Sequence, residues 1–158
     1  MALEDDLRNL SRVPFFAALE PDARRLVAFS AETRILRAGD VLFRKGEPSD
    51  GAYILMQGSI VLDAHDDGSA DFEVSLPYSL IGELALISDT ARPATAIARL
   101  PTTVLKVPRR LFQRVLSEYP SSAQALRQMI ETRLGDFSQH LDKMREDWET
   151  RLLNDRAR

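Results

Sequence analysis

Ile81-Gly82-Glu83-Leu84-Ala85-Leu86-Ile87-Ser88-Asp89-Thr90-Ala91-Arg92-Pro93-Ala94-Thr95 is the stretch around which the chain is organised. Gly82 lets backbone approach a ligand closely. A carboxylate and one short apolar helical turn follow, then a polar turn and an arginine. A helix start presents free backbone N–H groups and a positive dipole end, which suits a phosphate. Arg92 adds a planar fork of donors matched to phosphate oxygens. Glu83 only accepts hydrogen bonds when ionised, so it suits a hydroxyl donor such as a sugar 2′-OH. Anion clamp and hydroxyl acceptor together describe a site for a ribose phosphate.

Upstream of this stretch the apolar period is two. Glu32 to Arg37 alternates, Ala38-Gly39-Asp40 turns, and Val41 to Arg44 continues as a strand. Lys45 to Gly51 is loop chemistry, and Ala52–Met56 and Ser59–Ala64 are strands parted by a bend at Gln57-Gly58. Asp71–Leu76, Ala94–Arg99 and Val104–Val107 add further strands. Many short strands with Gly and Pro turns indicate a mainly β fold, a β-roll or jelly-roll barrel, with flanking helices. The expected division is N-terminal helices over 1–30, the β-roll over 31–108 with the phosphate cassette at 81–95, and C-terminal helices over 109–158.

The flanks read as helical. Leu3, Leu7 and Leu10 share helical spacing up to a break at Val13-Pro14-Phe15-Phe16, and Pro21 opens a second helix. Arg109 to Glu118 is a helix broken at Tyr119-Pro120, and Ser121-Ser122 caps a long one running past Leu152. Leu134, Phe137, Leu141, Met144 and Trp148 alternate steps of three and four. That spacing reads as a homodimer seam or as a helix packing on its own barrel. Trp148 lies far past the last residue the barrel should reach, which favours the dimer.

Composition removes several classes. The 158 residues suffice for one core, and no apolar run approaches the ~18 residues of a membrane span. The start, Met-Ala-Leu-Glu-Asp-Asp, is acidic, unlike a secretory signal. With no cysteine there is no disulfide framework, thiolate metal site or cysteine nucleophile, and a cytoplasmic location fits. The net charge of −3, with acids and bases interspersed, argues against a large nucleic-acid footprint. His65 and His140 are too few for a cupin-like metal centre, and no Ser-His-Asp set can be assembled, so neither an enzyme nor a cofactor is expected. The tail after Trp148 is too short for a helix-turn-helix, so no DNA-binding domain is expected.

Gly82-Glu83-Leu84-Ala85-Leu86 with Arg92-Pro93-Ala94-Thr95 resembles the phosphate-binding cassette of the cyclic-nucleotide-binding domain family. Leu42 to Glu47 and Tyr53 to Ile60 resemble the family's earlier strand and turn signatures, and the likeness covers roughly Leu10 to Leu141. The resemblance implies a regulatory sensor for a 3′,5′-cyclic nucleotide, acting on a dimer partner or an unknown effector. Glu83 would hold the ribose 2′-hydroxyl. Arg92 and the N–H groups around Leu84 to Leu86 would hold the phosphate, with Gly82, Ala85, Pro93, Ala94 and Thr95 completing the cassette. Leu84 and Val74 would lie under sugar and base, while Arg133, Phe137 and Ser138 on the long helix would cap the base. Members that prefer cyclic GMP often carry threonine after the arginine; Pro93 stands there, so cyclic AMP is preferred with cyclic GMP weaker. The alternative is an interaction or scaffold protein that keeps the fold without the ligand. One departure is Pro77-Tyr78-Ser79-Leu80, where the family usually shows a glycine turn; Tyr78 would fill that space.

Overall fold

The computed structural model describes residues 7–69 and 72–156, with 133–141 and 155–156 as helical backbone only. Residues 7–10 are helical, followed by α1 (Pro14–Ala17) and α2 (Pro21–Ser30). Among the described residues eight strands follow: β1 (Glu32–Leu36), β2 (Val41–Phe43), β3 (Gly51–Gln57), β4 (Ile60–Asp63), β5 (Phe72–Val74), β6 (Leu80–Ile81), β7 (Thr95–Ala98) and β8 (Thr102–Pro108). A single 3-10 turn, Glu83–Leu86, sits between β6 and β7, and α3 (Arg109–Glu118) and α4 (Pro120–Arg156) close the described chain. No helix among the described residues is long and apolar enough to cross a membrane.

The strands form two antiparallel four-stranded sheets, ordered β1-β8-β3-β6 and β2-β7-β4-β5. This is the expected jelly-roll, although the two sheets do not close into one barrel. β3 explains why a continuous apolar run, Ala52-Tyr53-Ile54-Leu55, is still a strand. Successive side chains point to opposite faces. Ala52 and Ile54 join a core with Phe16, Val27, Phe112 and Val115 of the helices, while Tyr53 and Leu55 join Phe43, Ile60, Ala96 and Val104 between the sheets. β8 divides likewise, Leu105 and Val107 toward the helices and Val104 between the sheets.

Three local expectations are corrected. The Val13-Pro14-Phe15-Phe16 break is the start of α1: Pro14 takes a first-turn position, where its missing N–H costs nothing. Its two phenylalanines pack on Phe112, both with ring centroids at 5.9 Å. Ser121-Ser122 does not cap α4, which begins at Pro120; the buried Ser122 hydroxyl instead accepts from the Glu20 N–H at 2.8 Å, joining the start of α4 to that of α2. Leu80, read as the end of a turn, and Ile81, read as the first residue of the cassette, form the short edge strand β6 on β3.

Candidate functional site

β6 and the 3-10 turn carry the cassette along one side of β3. Gly82 takes φ +75°, the left-handed region that glycine occupies without steric cost. A Cβ there would lie 2.6 Å from Arg92 Nη1, so glycine is also what lets the guanidinium come close. Beyond the turn Pro48 and Ala91 form an isolated bridge, and Arg92 and Glu47 are joined by the Arg92 N–H donating to the Glu47 carbonyl at 2.8 Å. The arginine is thereby fixed at the base of the site.

Arg92 is only 4% exposed. Its Nη2 donates to the Gly51 carbonyl at 2.7 Å and lies 3.8 Å from Asp50 Oδ1. Its guanidinium carbon stands 4.3 Å from the Phe43 ring centroid and 5.7 Å from that of Tyr53. Burial pulls the arginine below its usual pKa, with Tyr53 and Asp50 opposing that shift. Asp50 in turn is held below the ordinary carboxylate range, chiefly by the hydrogen bond from Lys106 Nζ at 2.7 Å.

These residues border a cavity of about 290 Å³ lined by Ser49, Leu80, Gly82, Glu83, Leu84, Ala85, Thr90, Ala91, Arg92 and Pro93. Glu83 is exposed at the wall, and among the described residues its carboxylate has no hydrogen-bond or ion-pair partner. Leu84 is 60% exposed, an apolar side chain left for a ligand to cover. Within the turn the Ala85 N–H donates to the Gly82 carbonyl at 3.0 Å, so that donor is already used. The cavity therefore combines a buried cation, an open acceptor and an apolar rim, which is what an anionic sugar needs.

Gly82, Glu83, Leu84, Ala85, Arg92 and Pro93 come together as anticipated by their spacing. The other named positions stand elsewhere. Ala94 is half-buried outside the lining. Buried Thr95 accepts from the Lys45 N–H at 3.0 Å and donates to Asp66 Oδ1 at 2.8 Å, bracing the strand behind the site. Val74 pairs with Ile60 across β4 and β5 and packs on the inter-sheet core rather than lining the cavity. The side chains of Arg133, Phe137 and Ser138 lie outside the described residues. Tyr78, outside the cavity lining, adopts φ +67°, a strained value for a non-glycine residue. Its N–H donates to Leu55 O at 2.6 Å and its ring lies 5.2 Å from the Arg12 guanidinium, which together hold it there.

Sequence reasoning missed Arg109, the first residue of α3. Its Nη1 donates to Ser88 O at 2.9 Å, Ala85 O at 3.2 Å and Ser49 Oγ at 3.3 Å, and its Nη2 to Ser49 O at 2.7 Å. One side chain ties both walls of the cavity to the helices. Four of its contacts are to residues far off in sequence, and three are backbone carbonyls, which carry no residue-type signal.

The fold and the cavity define a ligand-sensing module built on a jelly-roll. A family model described as "Cyclic nucleotide-binding domain" matches residues 33–119, and the chain belongs to that family. It is 41% identical to a cyclic nucleotide-binding-like protein from Brucella abortus, covering 72% of this chain and 98% of that one, with a TM-score of 0.64. It is 32% identical to the N-terminal domain of a transcriptional regulator from Streptomyces coelicolor A3(2), covering 86% and 94% of the two chains, with a TM-score of 0.74. Among curated relatives it matches lysophospholipase nte1 of Neurospora crassa, 28% identical over 113 residues, which is 70% of this chain but only 8% of that protein.

Proposed function

We propose that the cavity binds a 3′,5′-cyclic nucleotide with its phosphate on Arg92 and its ribose 2′-hydroxyl on Glu83. The chain would act as a non-enzymatic, cytoplasmic sensor. The observation that carries this is Arg92, a buried cation whose guanidinium borders a cavity that also holds the Glu83 carboxylate, without a partner among the described residues. A volume of about 290 Å³ stands at the lower edge of the ~300–1,000 Å³ typical of small-molecule sites, which suits one mononucleotide. Cyclic AMP is favoured over cyclic GMP because Pro93, on the cavity wall, offers no side-chain donor or acceptor to a guanine edge. The margin should be small, since one or two bonds separate the bases.

The division into 1–30, 31–108 and 109–158 belongs to the same proposal, with base capping by Arg133, Phe137 and Ser138. Occupancy would pass through the C-terminal helices to a second copy or an effector. A scaffold reading has one observation in its favour: Arg92 already bonds Gly51 and stacks on Phe43, so it has structural work without any ligand. Calorimetric titration of the full chain with cyclic AMP and cyclic GMP decides between them. The expected result is micromolar binding of cyclic AMP that Arg92→Ala weakens at least tenfold, as a lost charge-assisted bond of ~1.5–3 kcal/mol requires. No heat with either nucleotide at high micromolar concentration would establish the scaffold.

A further inference from the structure

We infer that Ser49 is a dedicated hydrogen-bond donor to the anionic group of the ligand, held in that role by Arg109. This rests on the cyclic-nucleotide reading of the cavity and adds a binding residue from outside the cassette. Ser49 is 4% exposed, yet it lines the cavity with Arg92. A serine hydroxyl has one donor and two acceptor lone pairs. Both acceptor sites are taken: Arg109 Nη1 donates to Oγ at 3.3 Å and the Thr90 N–H donates to it at 3.4 Å. The hydroxyl proton has no acceptor among the described residues. The backbone around it is pinned as well, the Ser49 N–H donating to Thr90 O at 3.0 Å and Ser49 O accepting from Arg109 Nη2 at 2.7 Å.

A hydroxyl in this state can only give. With two donors on its oxygen, one of them cationic, its proton is polarised and directed away from both. The cavity is the space left for it, so the matching ligand atom is an acceptor without a proton. In a cyclic nucleotide that atom is one of the two exocyclic phosphate oxygens. Arg109 is then a positioning residue, since it fixes the Ser49 oxygen and the cassette carbonyls Ala85 O and Ser88 O with one guanidinium.

The test is calorimetric titration of the full chain, as parent, Ser49→Ala and Ser49→Thr, with cyclic AMP and with its Rp and Sp phosphorothioates. Ser49→Ala should weaken cyclic AMP about tenfold or more, and Ser49→Thr should stay within about threefold of the parent. The alanine penalty should shrink for one diastereomer only, because sulfur at the contacted position is a poor acceptor. A purely structural serine would not distinguish the diastereomers. Unchanged affinity in Ser49→Ala, or equal loss for all three ligands, overturns the assignment while leaving the cavity's function intact. A parent chain that binds none of them removes both. Should Ser49→Ala fail to fold, Ser49→Cys keeps the shape with a weak donor and should show the same loss; parent-like binding by the cysteine variant overturns the inference.

Discussion

Arg92 is kept by contacts that are themselves backbone-determined. Gly51 supplies its carbonyl from a position where a Cβ would lie 2.3 Å from Val107 O, and Gly82 leaves the room that Nη1 occupies. Two glycines thus define where the charge stands before any ligand arrives. Gly82→Ala would place a methyl group 2.6 Å from Nη1 and force a left-handed φ on an alanine, a strain of about 1–2 kcal/mol. The guanidinium must then shift or the turn must tilt. The expected outcome is a loss of cyclic AMP affinity of tenfold or more in calorimetry, with the far-UV spectrum and cooperative unfolding retained. Affinity equal to the parent would mean that the guanidinium's position at the cavity floor does not matter to binding.

At the scale of elements, what the sequence discloses follows from how far each signal reaches. The Glu83–Arg92 spacing and the strand alternation are local, so the cassette and seven of the strands could be read from neighbouring residues. β6 could not, because two residues show no period; Leu80–Ile81 is a strand only through its pairing with Ile54 and Tyr53. The packing of Val74 on the inter-sheet core was not legible for the related reason that period two leaves open which face of β5 meets the core. Arg109 was invisible because three of its four acceptors are backbone carbonyls. In the helical layer Phe112 is fully buried against Phe15 and Phe16, in a core that also contains Ala52, Ile54 and Val107 of the sheet and Leu86 of the cassette turn. Phe112→Ala should cost about 3–5 kcal/mol of unfolding free energy by urea titration, from lost burial plus the cavity left behind. A loss under 1 kcal/mol would show that the helices dock by other means.

At the scale of the whole molecule, α4 is the feature the sandwich does not account for. Its 37 residues rise about 55 Å at 1.5 Å each, and among the described side chains those that join the main core are Leu126, Met129 and Ile130 of its early part. Further along, Met144, Trp148 and Leu152 recur every fourth residue and are 56%, 63% and 45% exposed. Large apolar side chains aligned on one helix face are what a second helix covers, and a twofold arrangement lets the same face serve both copies. The expected state is therefore a homodimer joined along α4, with Trp148 a main apolar anchor of the seam. Sedimentation velocity should find the parent chain dimeric at micromolar concentration and Trp148→Ala shifted toward monomer, with its thermal unfolding changed mainly in concentration dependence. If cyclic AMP then moves the dimer dissociation constant, the shift can be no larger than the ligand's preference for one state over the other. A parent chain that sediments as a monomer at every concentration removes the seam, and the ligand's effect would have to reach an effector through α3 and the start of α4.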